Sequence, residues 1–195
     1  MFICHRINTI SELKKINSEY GVEIDLRDDT NGNIYIHHDP FVKGENFEEY
    51  LKNYNHSFII LNIKSEGIEW KIKELLCKYN IINYFFLDCS FPMIINLINK
   101  GEKNIAIRYS EFESIDNILS LRGKIKYVWV DCFNILPLNK GIYKLLKDNN
   151  FKICLVSPEL QGQSDKLNKY KKILNEENIF LDMICTKKYN IIKWF

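Results

Sequence analysis

The chain carries no excess charge of one sign. Its 27 Lys and Arg stand against 25 Asp and Glu, a formal net charge of +2. A field this weak excludes capture of nucleic acid or an anionic membrane by bulk electrostatics. The basic residues are scattered, and their densest group, Lys187, Lys188 and Lys193, is expected to be a solvated helix or tail. No C-x-x-C pair occurs among the six cysteines, Cys4, Cys77, Cys89, Cys132, Cys154 and Cys185. That spacing excludes a dithiol motif or an ordinary zinc site, and most of the cysteines sit in apolar runs such as KICLV, where small buried hydrophobes belong. No apolar run approaches the ~18 residues a bilayer span needs. The opening Met-Phe-Ile-Cys-His-Arg lacks the basic region and long apolar stretch of a secretory leader, so a reducing cytoplasm is the expected compartment. Repeats, low-complexity linkers and composition shifts are also missing, and one domain over residues 1–195 is expected.

What is present is an ordinary globular composition, 46% apolar and 27% charged, with a strong alternation of patterns. Short runs rich in β-branched and aromatic residues recur at 2–6, 22–26, 58–63, 84–88, 105–109, 127–131, 152–156 and 181–186. Stretches with helical spacing separate them at 10–19, 47–53, 69–79, 92–99, 115–121, 140–148 and 166–175, and a final short helix is expected after Tyr189. Thr9 or Ser11 and Ser90 read as helix caps. Strands alternating with helices predict a parallel sheet. Eight such units predict an α/β fold, a compact (β/α)8 TIM barrel with short loops. One feature breaks the rhythm: Ile34 to His38 follows the turn Asp29-Thr30-Asn31-Gly32 before any helix. Asn-Gly is a hairpin signal, so an extra short β-ribbon is expected after the second strand, its returning end delivering His38.

In such a barrel the chemistry sits at the carboxyl ends of the strands. His5 and Arg6 end the first, and Glu23, Asp25 and Arg27 share one face of the second. Asn62 and Lys64 share a face at the end of the third. Inward-pointing polar residues at this density need water, pairing or a ligand. Two imidazoles, two carboxylates and an arginine at strand ends suit a divalent cation held beside a phosphate. The plain alternative is a salt-bridged cluster of Glu23 and Asp25 with Arg6, Arg27 or Lys64 and no metal. Asp88, Arg108, Asp131, Glu159 and Thr186 end later strands, with Arg108 a candidate second phosphate contact. His37, facing away from His38, and His56, on the far side of the third strand, are expected to be structural or exposed.

The motifs HR at 5–6, NT at 8–9, E-x-D at 23–25, the turn at 29–32 and HDP at 38–40 resemble those of the glycerophosphodiester phosphodiesterases and the related phosphatidylinositol-type phospholipase C superfamily. Asn62-Ile63-Lys64, Ser90-Phe91 and 182–186 extend the likeness along the chain, with the specific part confined to the first forty residues. The resemblance implies a barrel that hydrolyses a small phosphodiester, with His5 and His38 as the acid and base pair. It implies Mg²⁺ or Ca²⁺ held by Glu23 and Asp25, and phosphate contacts from Arg6 and Lys64. Nucleic-acid partners and stable membrane insertion are not implied, and oligomeric state is left open.

Three departures follow. The third acidic metal ligand of the resembled family falls on Asn62, a neutral carbonyl, so metal affinity is expected to be lower. Only Ile7 separates Arg6 from Asn8, and the glycine after HR is lost. The segment after HDP is short, from Phe41 to Glu45, which predicts a wide mouth. Two alternatives to hydrolysis are therefore a barrel without turnover that binds a phosphorylated ligand or partner, and a lyase that stops at a cyclic phosphate.

Overall fold

Sequences such as IILNI and YFFL are apolar on both faces, and strands built from them must be covered on both sides, as in parallel sheets. In the computed structural model, which describes residues 1–195, each of the eight expected strands is present, with ends shifted by a few residues. The chain falls into two compact units, Ile3–Gly101 and Glu102–Phe195, the latter including Met1–Phe2.

The first unit is built from β1 (Phe2–Cys4), β2 (Gly21–Asp28), β3 (Ile34–Ile36), β4 (Glu45–Asn46), β5 (Ile59–Ile63) and β6 (Tyr84–Leu87). β2 lies at its centre. It runs parallel to β1 through Ile3↔Gly21 and Cys4↔Val22, and parallel to β5 from Val22↔Ile59 to Leu26↔Ile63. β6 continues the parallel set beyond β5. The outer end of β2 pairs antiparallel with β3, and β3 with the two-residue β4, which the sequence did not announce. This is the ribbon expected from Asn31-Gly32. Gly32 takes φ 73, and the Asp29 carboxylate accepts the Asn31 and Asn33 N–H groups at 2.9 and 2.8 Å. At Gly21 a Cβ would come within 2.3 Å of Ile3 Cδ1 and 2.9 Å of the Phe58 carbonyl, so β1 can approach β2 this closely only over a glycine.

The helices of this unit are α1 (Ile10–Leu13), α2 (Phe47–Lys52), α3 (Glu69–Lys78) and α4 (Phe91–Asn99). Thr9 and Glu12 form a capping box at α1, and Ser90 caps α4. The α1 helix stops at Leu13 and does not run on to Glu19 as periodicity predicted. The ladder tightens after Lys14, where the Lys15 and Ile16 N–H groups reach back three residues to Glu12 and Leu13 at 2.9 and 3.0 Å, and Asn17 then bonds locally, its Oδ1 accepting the Glu19 N–H at 3.0 Å and its carbonyl the Tyr20 N–H at 3.0 Å. α2 buries Phe47, Tyr50 and Leu51. The Tyr50 hydroxyl donates to the Ile7 carbonyl at 2.8 Å and so pins the loop that follows β1.

The second unit is a four-stranded parallel sheet, β7 (Ala106–Tyr109), β8 (Tyr127–Val130), β9 (Lys152–Val156) and β10 (Met183–Thr186), paired in sequence order. Its helices are α5 (Ile115–Ser120), α6 (Lys140–Asp148) and α7 (Leu167–Glu176), and the expected last helix is a 3₁₀ segment over Lys188–Trp194. Trp194 Nε1 anchors that segment by donating to Ser157 Oγ at 2.9 Å. Cys4, Cys132, Cys154 and Cys185 are buried as expected, Cys89 is half-buried and Cys77 is exposed on α3; none of the six is in a disulfide. No helix is long and apolar enough to cross a membrane.

Candidate active site

The site is assembled at the carboxyl end of β2 within the first unit. β1 ends at Cys4 and does not continue to Arg6; Arg6 instead takes a left-handed backbone (φ 53) that turns its N–H onto Glu23 Oε2 at 2.7 Å. Two residues on, Asn8 grips Asp25 from both sides. Its Nδ2 donates to Asp25 Oδ2 at 2.9 Å and its Oδ1 accepts the Asp25 N–H at 3.0 Å. The Arg6 guanidinium stands 3.7 Å from Asp25 Oδ2, and His5 Nε2 stands 3.8 Å from Glu23 Oε2.

Glu23 and Asp25 are almost fully buried, at 1% and 0% exposure. The β2–β5 register sets Asn62 opposite Asp25, and its Nδ2 donates to Glu23 Oε1 at 2.8 Å and to Asp25 Oδ1 at 3.1 Å. Lys64, two residues further along the same face, brings Nζ to 3.7 Å from Asp25 Oδ1 and 3.3 Å from Asp88 Oδ2. Burial, and next the charge of Asp25, push the Glu23 carboxyl up from 4.5 to about 7, against the opposing pull of Asn62, the Arg6 N–H and Lys64. Burial thus makes the charged form of Glu23 costly even with Arg6 and Lys64 close to its partner Asp25.

His38 arrives on the returning leg of the ribbon. Its Nδ1 lies 2.7 Å from Asp39 Oδ1, and this hydrogen bond holds the Asp39 carboxyl below the usual range. With Nδ1–H donated to Asp39, Nε2 keeps its lone pair and can take a proton. Arg6, Asn8, His38 and Asp39 line one open cleft of about 870 Å³. His37, expected to face away, lines the same cleft, its Nδ1 accepting the Asp39 N–H at 2.9 Å, and His56 contacts the Ile16 carbonyl at 3.2 Å.

No family model matches the chain, and no curated protein is similar to it in sequence. Solved structures do match. A candidate glycerophosphoryl diester phosphodiesterase of Agrobacterium tumefaciens superposes with a TM-score of 0.71 at 13% identity, covering 98% of this chain and 95% of that one. A phosphodiesterase of Oleispira antarctica, in complex with the product sn-glycerol-3-phosphate, gives 0.69 at 14% identity over 95% and 92%. A glycerophosphoryl diester phosphodiesterase of Parabacteroides distasonis gives 0.66 at 10% identity over 95% and 81%. The chain has the glycerophosphodiester phosphodiesterase fold. This is an α/β fold of the (β/α)8 class, as the count of strands and helices predicted. At these identities the fold is what is shared.

Whether a hard divalent cation suits the site is decided by its donors. Two carboxylates are buried side by side, and the Asn62 carbonyl oxygen is buried without a hydrogen-bond partner. Which end of an amide is oxygen follows from its bonding partners, and a cation among the three side chains would favour the carbonyl facing it. Two carboxylates and one carbonyl fit Mg²⁺ or Ca²⁺, which take oxygen ligands and complete their shells with water or phosphate. The set is leaner by one charge than three acids would be.

Six of the residues singled out in the sequence, His5, Arg6, Glu23, Asp25, Asn62 and Lys64, come together in this way, and His38 faces the cleft that Arg6 lines. Arg108 does not join them in the first unit. It lies on β7 of the second unit, hydrogen-bonded to the buried Asp131, which also accepts from Trp129 Nε1 at 3.2 Å and Gln161 Nε2 at 2.6 Å. Sequence reasoning did not assign roles to Asn8, Asp39 and Tyr50. The N-T and H-D-P motifs contain the first two, and a helical tyrosine bonded to a distant carbonyl leaves no sequence signal.

Proposed function

We propose that the chain is a metal-dependent phosphodiesterase that hydrolyses a glycerophosphodiester or a related polyol or sugar phosphate diester. One observation carries the reading: a buried acidic pair, flanked by Arg6 and Lys64 and beside His5, with His38, bonded to Asp39, on the cleft that Arg6 lines. Glu23, Asp25 and the Asn62 carbonyl would hold Mg²⁺ or Ca²⁺, which when bound supplies positive charge to a non-bridging phosphate oxygen. Arg6 and Lys64 orient the phosphate and offset the charge that grows on its oxygens as phosphorus becomes five-coordinate. One imidazole removes the proton of the attacking water or of a neighbouring substrate hydroxyl, while the other gives a proton to the leaving oxygen as its bond to phosphorus breaks. Water as the nucleophile yields an alcohol and a phosphomonoester; an internal hydroxyl yields an alcohol and a cyclic phosphate. Arg108 is a candidate phosphate contact. The glycerol phosphate held by the Oleispira protein supports a substrate of this size.

The test is incubation of the purified chain with a panel of glycerophosphodiesters, with Mg²⁺, Ca²⁺ or chelator, followed by phosphorus NMR. Metal-stimulated release of a phosphomonoester or cyclic phosphate is expected, and no turnover anywhere on the panel would reject the reading. A second reading, a site that binds a phosphorylated ligand without turnover, draws on the Asn62 amide N–H₂ that bridges Glu23 and Asp25. It predicts no calorimetric divalent binding and no loss of glycerol phosphate affinity in His5→Ala.

A further inference from the structure

The carbonyls of His38 and Lys64 lie past the last rungs of their ladders. β2 pairs with β5 only as far as Leu26↔Ile63, and with β3 inward only to Leu26↔Ile36. Next along, the His37 N–H donates to the Asp25 carbonyl at 3.0 Å and the Lys64 N–H to the Leu26 carbonyl at 2.9 Å. A single side chain on β2 takes up both carbonyls. Arg27 donates from Nε and Nη2 to the His38 carbonyl at 3.1 and 2.8 Å, and from Nη1 to the Lys64 carbonyl at 2.9 Å. All three arms of the planar guanidinium are used, with two on one neighbour of β2 and one on the other. A lysine ammonium is a compact point charge on a flexible stem and lacks that flat fork.

We infer that Arg27 is a positioning residue that fixes the spacing of His38 and Lys64. β3 is three residues long and β4 two, so the ribbon by itself gives His38 little restraint. The strap from β2 supplies it, and the same fork ties down the strand end that aims Lys64 at Asp25. Arg27 acts through these two residues and leaves the chemistry to them. That they form part of the reacting site rests on the phosphodiesterase reading; the strap itself does not.

Arg27→Lys and Arg27→Ala of the full chain test it, read by steady-state kinetics on a glycerophosphodiester and by the imidazole NMR signals of the four histidines. Misplacing a reacting group by about 1 Å costs ~10²-fold in rate. The expected result is therefore a kcat lower by about 10²-fold with KM within about threefold. The His38 signal, alone or with its neighbour His37, should move while those of His5 and His56 stay in place. Methylguanidinium added to Arg27→Ala should restore part of kcat and return the His38 signal toward its original position. Unchanged kcat and an unchanged His38 signal would overturn the inference, as would a shift of all four signals together. Failure of both variants to fold would assign Arg27 to the fold and overturn it too. If the unaltered chain turns nothing over, the phosphodiesterase reading fails separately, and the histidine spectra still decide for or against the strap.

Discussion

Replacing Glu23 by glutamine is expected to make the protein more stable at alkaline pH and to abolish its activity. The folded chain holds the Glu23 carboxyl near 7, against an ordinary value of 4.5. Below about pH 4.5 the group is protonated whether the chain is folded or not. Between there and about 7 the unfolded chain has released the proton and the folded chain has kept it, so stability falls across that window and levels off above it. The interval from 4.5 to about 7 is about 2.5 pH units, on the order of 3 kcal/mol at ~1.4 kcal/mol per unit. Glutamine keeps the shape and a carbonyl to accept the Arg6 N–H, now 2.7 Å from Glu23, but its N–H₂ cannot accept from Asn62 Nδ2, now 2.8 Å from Oε1, which costs part of the gain. It leaves Arg6 and Lys64 facing Asp25 alone, which returns part of the gain. A net increase of about 1–2 kcal/mol at pH 8 follows, and in a chain of this size each kcal/mol moves Tm by ~2–4 °C. Melting curves of both proteins at pH 5, 6, 7 and 8, without divalent cations, measure it. The two should converge toward pH 5 and separate above 7. Parallel curves across that range would mean that Glu23 is ionised throughout, and the account of a carboxylate held up by burial would be wrong.

Asp39→Asn should lower kcat about tenfold or more with little change in KM, because the carboxylate 2.7 Å from His38 Nδ1 fixes which ring nitrogen carries the proton; steady-state kinetics decide. Asn62→Asp restores a third acid beside Glu23 and Asp25 and should tighten divalent binding about tenfold or more in calorimetry without substrate, and unchanged affinity would remove Asn62 from the ligand set. Thr9→Ala loses the capping box of α1 and should cost about 1 kcal/mol in denaturant unfolding. Tyr50→Phe leaves the Ile7 carbonyl without its donor and should cost ~1–3 kcal/mol, with faster amide exchange over residues 5–8.

The strand count was legible because a strand covered on both faces must be written in apolar runs, a rule kept most fully by YFFL of β6 and YVWV of β8. The acidic pair was legible for the complementary reason: Glu23 and Asp25 interrupt such a run at period two. What could not be read ahead was set by partners distant in sequence. The α1 helix was overdrawn because Leu13 and Ile16 keep helical spacing, while the backbone past Lys14 closes into three-residue turns that the spacing does not show. Arg108 was legible as a charged strand end, while its hydrogen bond to Asp131, just past the β7–β8 register, is set by the fold. Arg27 was visible on the right face of β2, yet its work is done on two backbone carbonyls, and carbonyls leave no trace in composition.

Because Arg6 meets the acidic pair twice, through its main chain at Glu23 and its side chain at Asp25, the two contributions can be uncoupled by choice of replacement. Glycine at this position tolerates the inverted backbone and retains the amide donor while deleting only the cation. Alanine deletes the same cation and opposes the inversion as well. An experimenter who compares the two gains a scalpel for local architecture versus charge, at a residue where most substitutions would blur them.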